Sequence, residues 1–134
     1  MNWGTCYNEP RIKGVSSMYE LIKRVDFSKK RNNPEKDYLK KLFIEWLNRN
    51  YPDVNTVDTY FSDAIFIGNN PSLGLDIVEI ISDEDEGRTN YHRALVKHFE
   101  SKGWNSALVH SRAEEYLKRL DQLKEFLVDY EKNK

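Results

Sequence analysis

The sequence predicts an α/β (α+β) fold: a small central mixed sheet of three to four strands flanked by helices. Three observations lead there. Tyr38, Leu39, Leu42, Phe43, Trp46 and Leu47 fall on one stripe at helical spacing, which marks a helix ahead of the sheet. The runs Ser62-Asp63-Ala64-Ile65-Phe66-Ile67 and Leu75-Asp76-Ile77-Val78-Glu79-Ile80-Ile81 then concentrate β-branched and aromatic residues on either side of a turn. Helical periodicity returns after residue 90, and the short apolar run Ser106–His110 separates two such segments.

Residues 1–15, with Gly4, Pro10 and Gly14 among scattered polar groups, show no period and read as an irregular N-terminal arm. Residues 16–134 read as a single α/β domain, a size that can bury a core without staples. Ser17-Met18-Tyr19-Glu20 has the form of a capping box and opens a short helix from Met18 to about Val25. Asn33-Pro34 gives the second helix an N-cap and a first-turn proline, and that helix ends near Asn50, ahead of Pro52. From Val54 to Ser82 the pattern turns toward β, with Gly68-Asn69-Asn70-Pro71-Ser72 as the turn between antiparallel strands. Asp83-Glu84-Asp85-Glu86-Gly87 is an acidic loop, after which Tyr91, Ala94, Leu95 and Phe99 mark a third helix closed by Gly103. Ser106-Ala107-Leu108-Val109-His110 reads as a strand reached through that helical crossover. Ser111-Arg112-Ala113-Glu114 is a second capping-box pattern, opening a last helix. There Tyr116, Leu120, Leu123, Leu127 and Tyr130 alternate by four and three, a spacing that suits core packing or a homodimer.

The net charge of -1 hides an uneven distribution. Residues 1–50 carry 11 Lys/Arg against 6 Asp/Glu, residues 51–90 carry 1 against 9, and residues 91–134 carry 9 against 7. Basic flanks around an acidic centre suit a protein that meets a phosphate backbone with its helices and a cation with its middle. The lone Cys6 cannot close an intramolecular disulfide, and no apolar stretch has the length of a membrane span or a signal peptide. A cytoplasmic location without a membrane partner is the expectation.

In a strand, alternate residues share a face, which sets Leu75, Ile77, Glu79 and Ile81 on one side and Asp76, Val78 and Ile80 on the other. Glu79 then interrupts an apolar face, where a carboxylate requires a partner or a cation. Asp63 opens the preceding run. Paired through the turn, Asp63 and Glu79 would hold Mg²⁺ or Mn²⁺, which activates water and stabilises a phosphorane-like transition state.

The order helix, Ser62-Asp63 strand, turn, Val78-Glu79-Ile80-Ile81 strand, helix, strand resembles the PD-(D/E)xK nuclease family over residues 34–111. The resemblance implies that Asp63 and Glu79 are metal ligands, with the Ile80 carbonyl and Glu35 or Glu45 as further candidates. Ser62 stands where that family usually has proline, and Ile81 where it has the catalytic lysine, so Lys97 or Arg93 from the following helix would supply the missing cation. The catalytic set implied is Asp63, Glu79 and Lys97.

Lys29-Lys30-Arg31 with Lys40 and Lys41, beside Phe27, form a basic patch suited to DNA or RNA. The leading functional reading is a nucleic-acid-binding protein, a metal-dependent nuclease if active. The second is a non-enzymatic protein-binding module, such as an inhibitor or immunity protein, that offers Asp83, Glu84, Asp85 and Glu86 to a basic protein. His92, His98 and His110 are too few and too unevenly spaced for a zinc site, since 92 and 98 lie on different faces of a helix and no cysteines accompany them, although His92 or His110 would suit a phosphate.

Overall fold

The computed structural model describes residues 19–52, 57–83 and 85–133, and among them every regular element is helical. In chain order these are α1 (Glu20–Lys23), α2 (Pro34–Asn50), α3 (Val57–Ala64), α4 (Phe66–Asn69), a 3-10 turn (Pro71–Leu73), α5 (Ile77–Ser82), α6 (Glu86–Glu100) and α7 (Ser106–Lys132). The α/β expectation is thereby corrected: both acid-bearing runs and the run 106–110 are helical, and no strand occurs among the described residues. The irregular arm, Cys6, half of the expected Ser17–Glu20 cap and Glu84 lie outside them.

The physical reason is legible in the spacing. Val57, Tyr60, Phe61 and Ala64 follow a helical i, i+3, i+4, i+7 pattern, and Phe61 and Ala64 are buried. In α5 the side chains that turn inward are Ile77, Ile80 and Ile81, again three and four apart. Asp76 starts this helix as its N-cap, its Oδ1 accepting from the N–H groups of Val78 at 2.8 Å and Glu79 at 3.1 Å. Glu79 consequently sits exposed in a first helical turn, where the helix dipole favours a carboxylate, and not on a buried sheet face. For α7, the cap is Asn105, whose Oδ1 accepts from the Leu108 N–H at 2.9 Å, so the helix starts well before Ser111.

The expected second helix is α2, capped by Asn33, whose Oδ1 accepts from the Lys36 N–H at 3.2 Å. Leu39, Phe43, Trp46 and Leu47 are buried, while Tyr38 is 50% exposed. The third expected helix is α6, after which Gly103 adopts a left-handed φ of 80°.

The 27-residue α7 lies against α3 and α6, with α2 packed on α3 and α5 on α6. Its Leu120, Leu123 and Leu127 are buried in the chain's own core, so the heptad-like stripe serves internal packing. Phe43 sits among Trp46, Phe61 and Phe126, with ring centroids 5.7–6.4 Å away. The Trp46 indole N–H donates to Asp129 Oδ2 at 2.8 Å, tying α2 to the far end of α7. A second aromatic group joins Phe66, Phe99 and Tyr116, with Trp104 stacked on Phe99 at 4.9 Å.

Gly87 makes the tightest approach between elements: a Cβ there would stand 2.7 Å from the Ile80 carbonyl oxygen. Because that neighbour is backbone, it cannot swing aside as a side chain would. Gly87→Ala is expected to destabilise the protein by roughly 1–3 kcal/mol in urea unfolding, the usual cost of overpacking. A gain in stability, as an alanine normally gives in a helix, would show that the two backbones separate freely.

Candidate functional site

The three residues that the nuclease resemblance selected stand on three helices. Asp63 lies near the end of α3, Glu79 on the exposed side of α5 and Lys97 on the exposed side of α6. The charged groups that act on Asp63 are Glu115, Arg112 and Arg119, all from α7, and Glu79 is not one of them. Among the described residues no three His, Cys, Asp or Glu side chains are grouped to hold a metal. The pairing that was to bring Asp63 and Glu79 to one Mg²⁺ or Mn²⁺ depended on adjacent strands. Glu35, Glu45 and Arg93 are exposed on α2 and α6.

Asp63 instead belongs to a polar seam between α3 and α7. Arg119, 7% exposed, lays its guanidinium 3.5 Å over the Tyr60 ring and donates through Nη1 to Gln122 Oε1 at 2.9 Å. Its Nε–H finds no acceptor among the described residues. Half-burial is the main cause that holds the Asp63 carboxyl above its ordinary range, with Glu115 adding to it against Arg112 and Arg119. Tyr91, behind the seam, is fully buried; burial raises its phenol, and the Ile67 amide faces the oxygen without completing a hydrogen bond.

The basic segment before α2 is a built loop. Asp26 Oδ1 accepts from the Ser28 N–H at 3.1 Å and from its hydroxyl at 2.6 Å, contacts that lower the carboxyl's affinity for a proton. Buried Asn33 closes the loop from the other side, its Nδ2 donating to the carbonyls of Asp26 at 2.9 Å and Lys29 at 3.2 Å while its oxygen caps α2. Asn32 takes a left-handed φ of 51°, which asparagine tolerates. Phe27 lies against Gly68 of α4, where a Cβ would fall 2.9 Å from its ring.

These anchors leave Lys29, Lys30 and Arg31 exposed at the positive end of the 17-residue α2. Lys36, one turn into α2, joins them. Its Nζ donates to Asn69 Oδ1 at 3.1 Å, and burial first, then the nearby Lys30, makes its ammonium easier to deprotonate. Lys40 instead faces Asp58, 4.0 Å away, and Lys41 is exposed on the adjoining side of α2.

The chain matches no protein-family model, no curated protein and no solved structure. Assignments of role therefore stand on this geometry. Of the acidic residues offered for protein binding, Asp83, which ends α5, accepts from the Glu86 N–H at 3.2 Å, and Asp85 and Glu86 are exposed. Among the described residues no helix is long and apolar enough to cross a membrane. Sequence reasoning passed over Lys36, although its place one turn after the Asn33-Pro34 cap set it beside the Lys29–Arg31 run. The rings of His92 and His110, 18 residues apart in sequence, lie 6.4 Å apart across α6 and α7.

A carboxyl that binds its proton more tightly in the folded than in the unfolded state opposes folding when ionised, and the penalty fades as pH falls through the folded-state value. Asp63→Asn is therefore expected to be more stable than the parent in urea unfolding at pH 7. The advantage should vanish below about pH 4, where the ordinary carboxyl is also protonated. An equal or larger advantage at pH 3 would show that the seam does not act through this charge.

Proposed function

We propose that the protein binds a nucleic-acid phosphate backbone through the loop Lys29–Arg31 and Lys36. The observation that carries the reading is the exposure of Lys29, Lys30 and Arg31 on a loop that Asn33 pins at the N-terminus of α2, one turn before Lys36. Among the described residues none of Lys29, Lys30, Arg31 and Lys36 is in salt-bridge contact with a carboxylate. Phosphate oxygens suit the lysine ammoniums, the Arg31 guanidinium and the helix end. Lys40 and Lys41 lie on the same helix and extend the surface.

The reading is one of binding. Cleavage entered through carboxylates on paired strands, and those residues are helical and point to different neighbours. A protein-binding module remains the second reading, favoured by Asp83, Asp85 and Glu86, exposed at the start of α6 and none in salt-bridge contact among the described residues.

Fluorescence anisotropy with labelled single- and double-stranded DNA and RNA, from 50 to 200 mM salt, tests the first reading. Affinity for duplex DNA should fall with salt at a log–log slope of about -3 to -4, since each neutralised phosphate contributes roughly 0.9. The triple variant Lys29→Ala/Lys30→Ala/Arg31→Ala should remove most of that slope. No binding to any of the four at 50 mM salt, or binding untouched by the triple variant, sinks the proposal.

A further inference from the structure

Tyr38 leaves its ring at 50% exposure although the buried stripe of α2 begins at the very next residue, Leu39. Pro34 and Glu35 stand four and three residues before it and so share its face of the helix. Leu21 of α1 and Arg24 at the end of α1 meet that face, and the five side chains line a surface depression of about 230 Å³. Leu21, Pro34 and the Tyr38 ring give it an apolar lining.

We infer that this depression seats one unstacked base of a single-stranded nucleic acid on the Tyr38 ring, while the Lys29–Arg31 loop holds the neighbouring phosphates. The inference rests on the phosphate-binding reading above and adds to it the form of the strand. Every base has a flat π-face that stacks on an aromatic side chain, but in a duplex both faces are covered by the neighbouring base pairs. A stacking platform therefore selects a single strand.

The charges are arranged for such a strand. Arg24 and Glu35 bring one positive and one negative group to the lining, so the depression draws a neutral ring in preference to a phosphate. Attraction for phosphate lies to either side of it. Lys29, Lys30 and Arg31 precede Pro34, and exposed Lys41 follows Tyr38 by three residues on the same face. Basic, aromatic, basic is the order that a sugar–phosphate chain with one base turned inward requires. The Arg24 guanidinium is 65% exposed and stands 3.8 Å from Glu20, a loose surface pair that lets it swing over the second face of the base.

The test is fluorescence anisotropy of the full chain with three labelled probes of equal length at one salt concentration: a single-stranded DNA, its duplex, and an abasic strand that keeps the phosphates and lacks the bases. The single strand should bind more tightly than the other two. Tyr38→Ala and Tyr38→Leu should each weaken it by about 5- to 150-fold, the range for loss of one base stacked on an aromatic ring. Tyr38→Phe, which keeps the ring, should bind as the parent does. Neither Tyr38→Ala nor Tyr38→Leu should alter binding of the duplex or the abasic strand, which reports the phosphate contacts alone. Leucine is a good helix former, so Tyr38→Leu keeps the test open should the alanine variant unfold. Single-strand binding untouched by both variants, or duplex and abasic strand bound as tightly as the single strand, overturns the inference and leaves the phosphate reading standing. Failure of all three probes to bind, or abasic binding untouched by Lys29→Ala/Lys30→Ala/Arg31→Ala, removes the phosphate reading and this inference with it.

Discussion

Val109, Ala113, Leu117, Leu120, Leu123, Phe126 and Leu127 line a continuous buried face along α7, and the placement of the other helices depends on covering it. Each of these side chains except Ala113 contributes roughly 1.5–3 kcal/mol when taken out of water. Two of the helices packed around it are short: α3, which lies on α7, has eight residues, and α5, which packs on α6, has six, well below the length at which an isolated helix persists in water. Their helicity therefore follows from docking. Polar contacts at the margins fix the register. Trp46 to Asp129 sets α2, Arg119 over Tyr60 sets α3, and Arg88 to Asp121 with His92 to Glu114 sets α6.

The legible elements are those with both a cap and a long stripe. Asn33-Pro34 followed by Leu39, Phe43, Trp46 and Leu47 specifies α2 without ambiguity, and Tyr91, Leu95 and Phe99 do the same for α6. In α3 and α5 the apolar run is too short for its period to decide, and isoleucine, valine and phenylalanine carry a β preference that reflects packing more than backbone. Asp76 was the signal that decides α5, since an acid three residues before Glu79 is an N-cap pattern. Reading Asp76 as a strand residue made Glu79 look buried, and the metal pair followed from that one step.

The binding surface was half legible for a related reason. A run such as Lys29-Lys30-Arg31 is visible in any sequence, but its placement at the start of α2 depends on Asn33 closing the loop through the Asp26 and Lys29 carbonyls. Likewise, His92 and His110 are separated by a turn and meet only because α6 and α7 pair in one antiparallel register. Contacts made by chain reversal leave no periodic trace in a single sequence, whereas those made along one helix do.

The near-contact of Gly87 with the Ile80 carbonyl bears on how the protein assembles. Two backbones that close cannot come together gradually with a side chain as cushion; the approach is made or it is not. The helix α5 has too few residues to persist unaided and docks on α6, so α5 and the start of α6 rise and fall as one cooperative unit. Amide protons of Ile80, Ile81 and Tyr91 then belong to a common opening event, and this corner of the protein behaves as a hinge-free clasp on the end of α6.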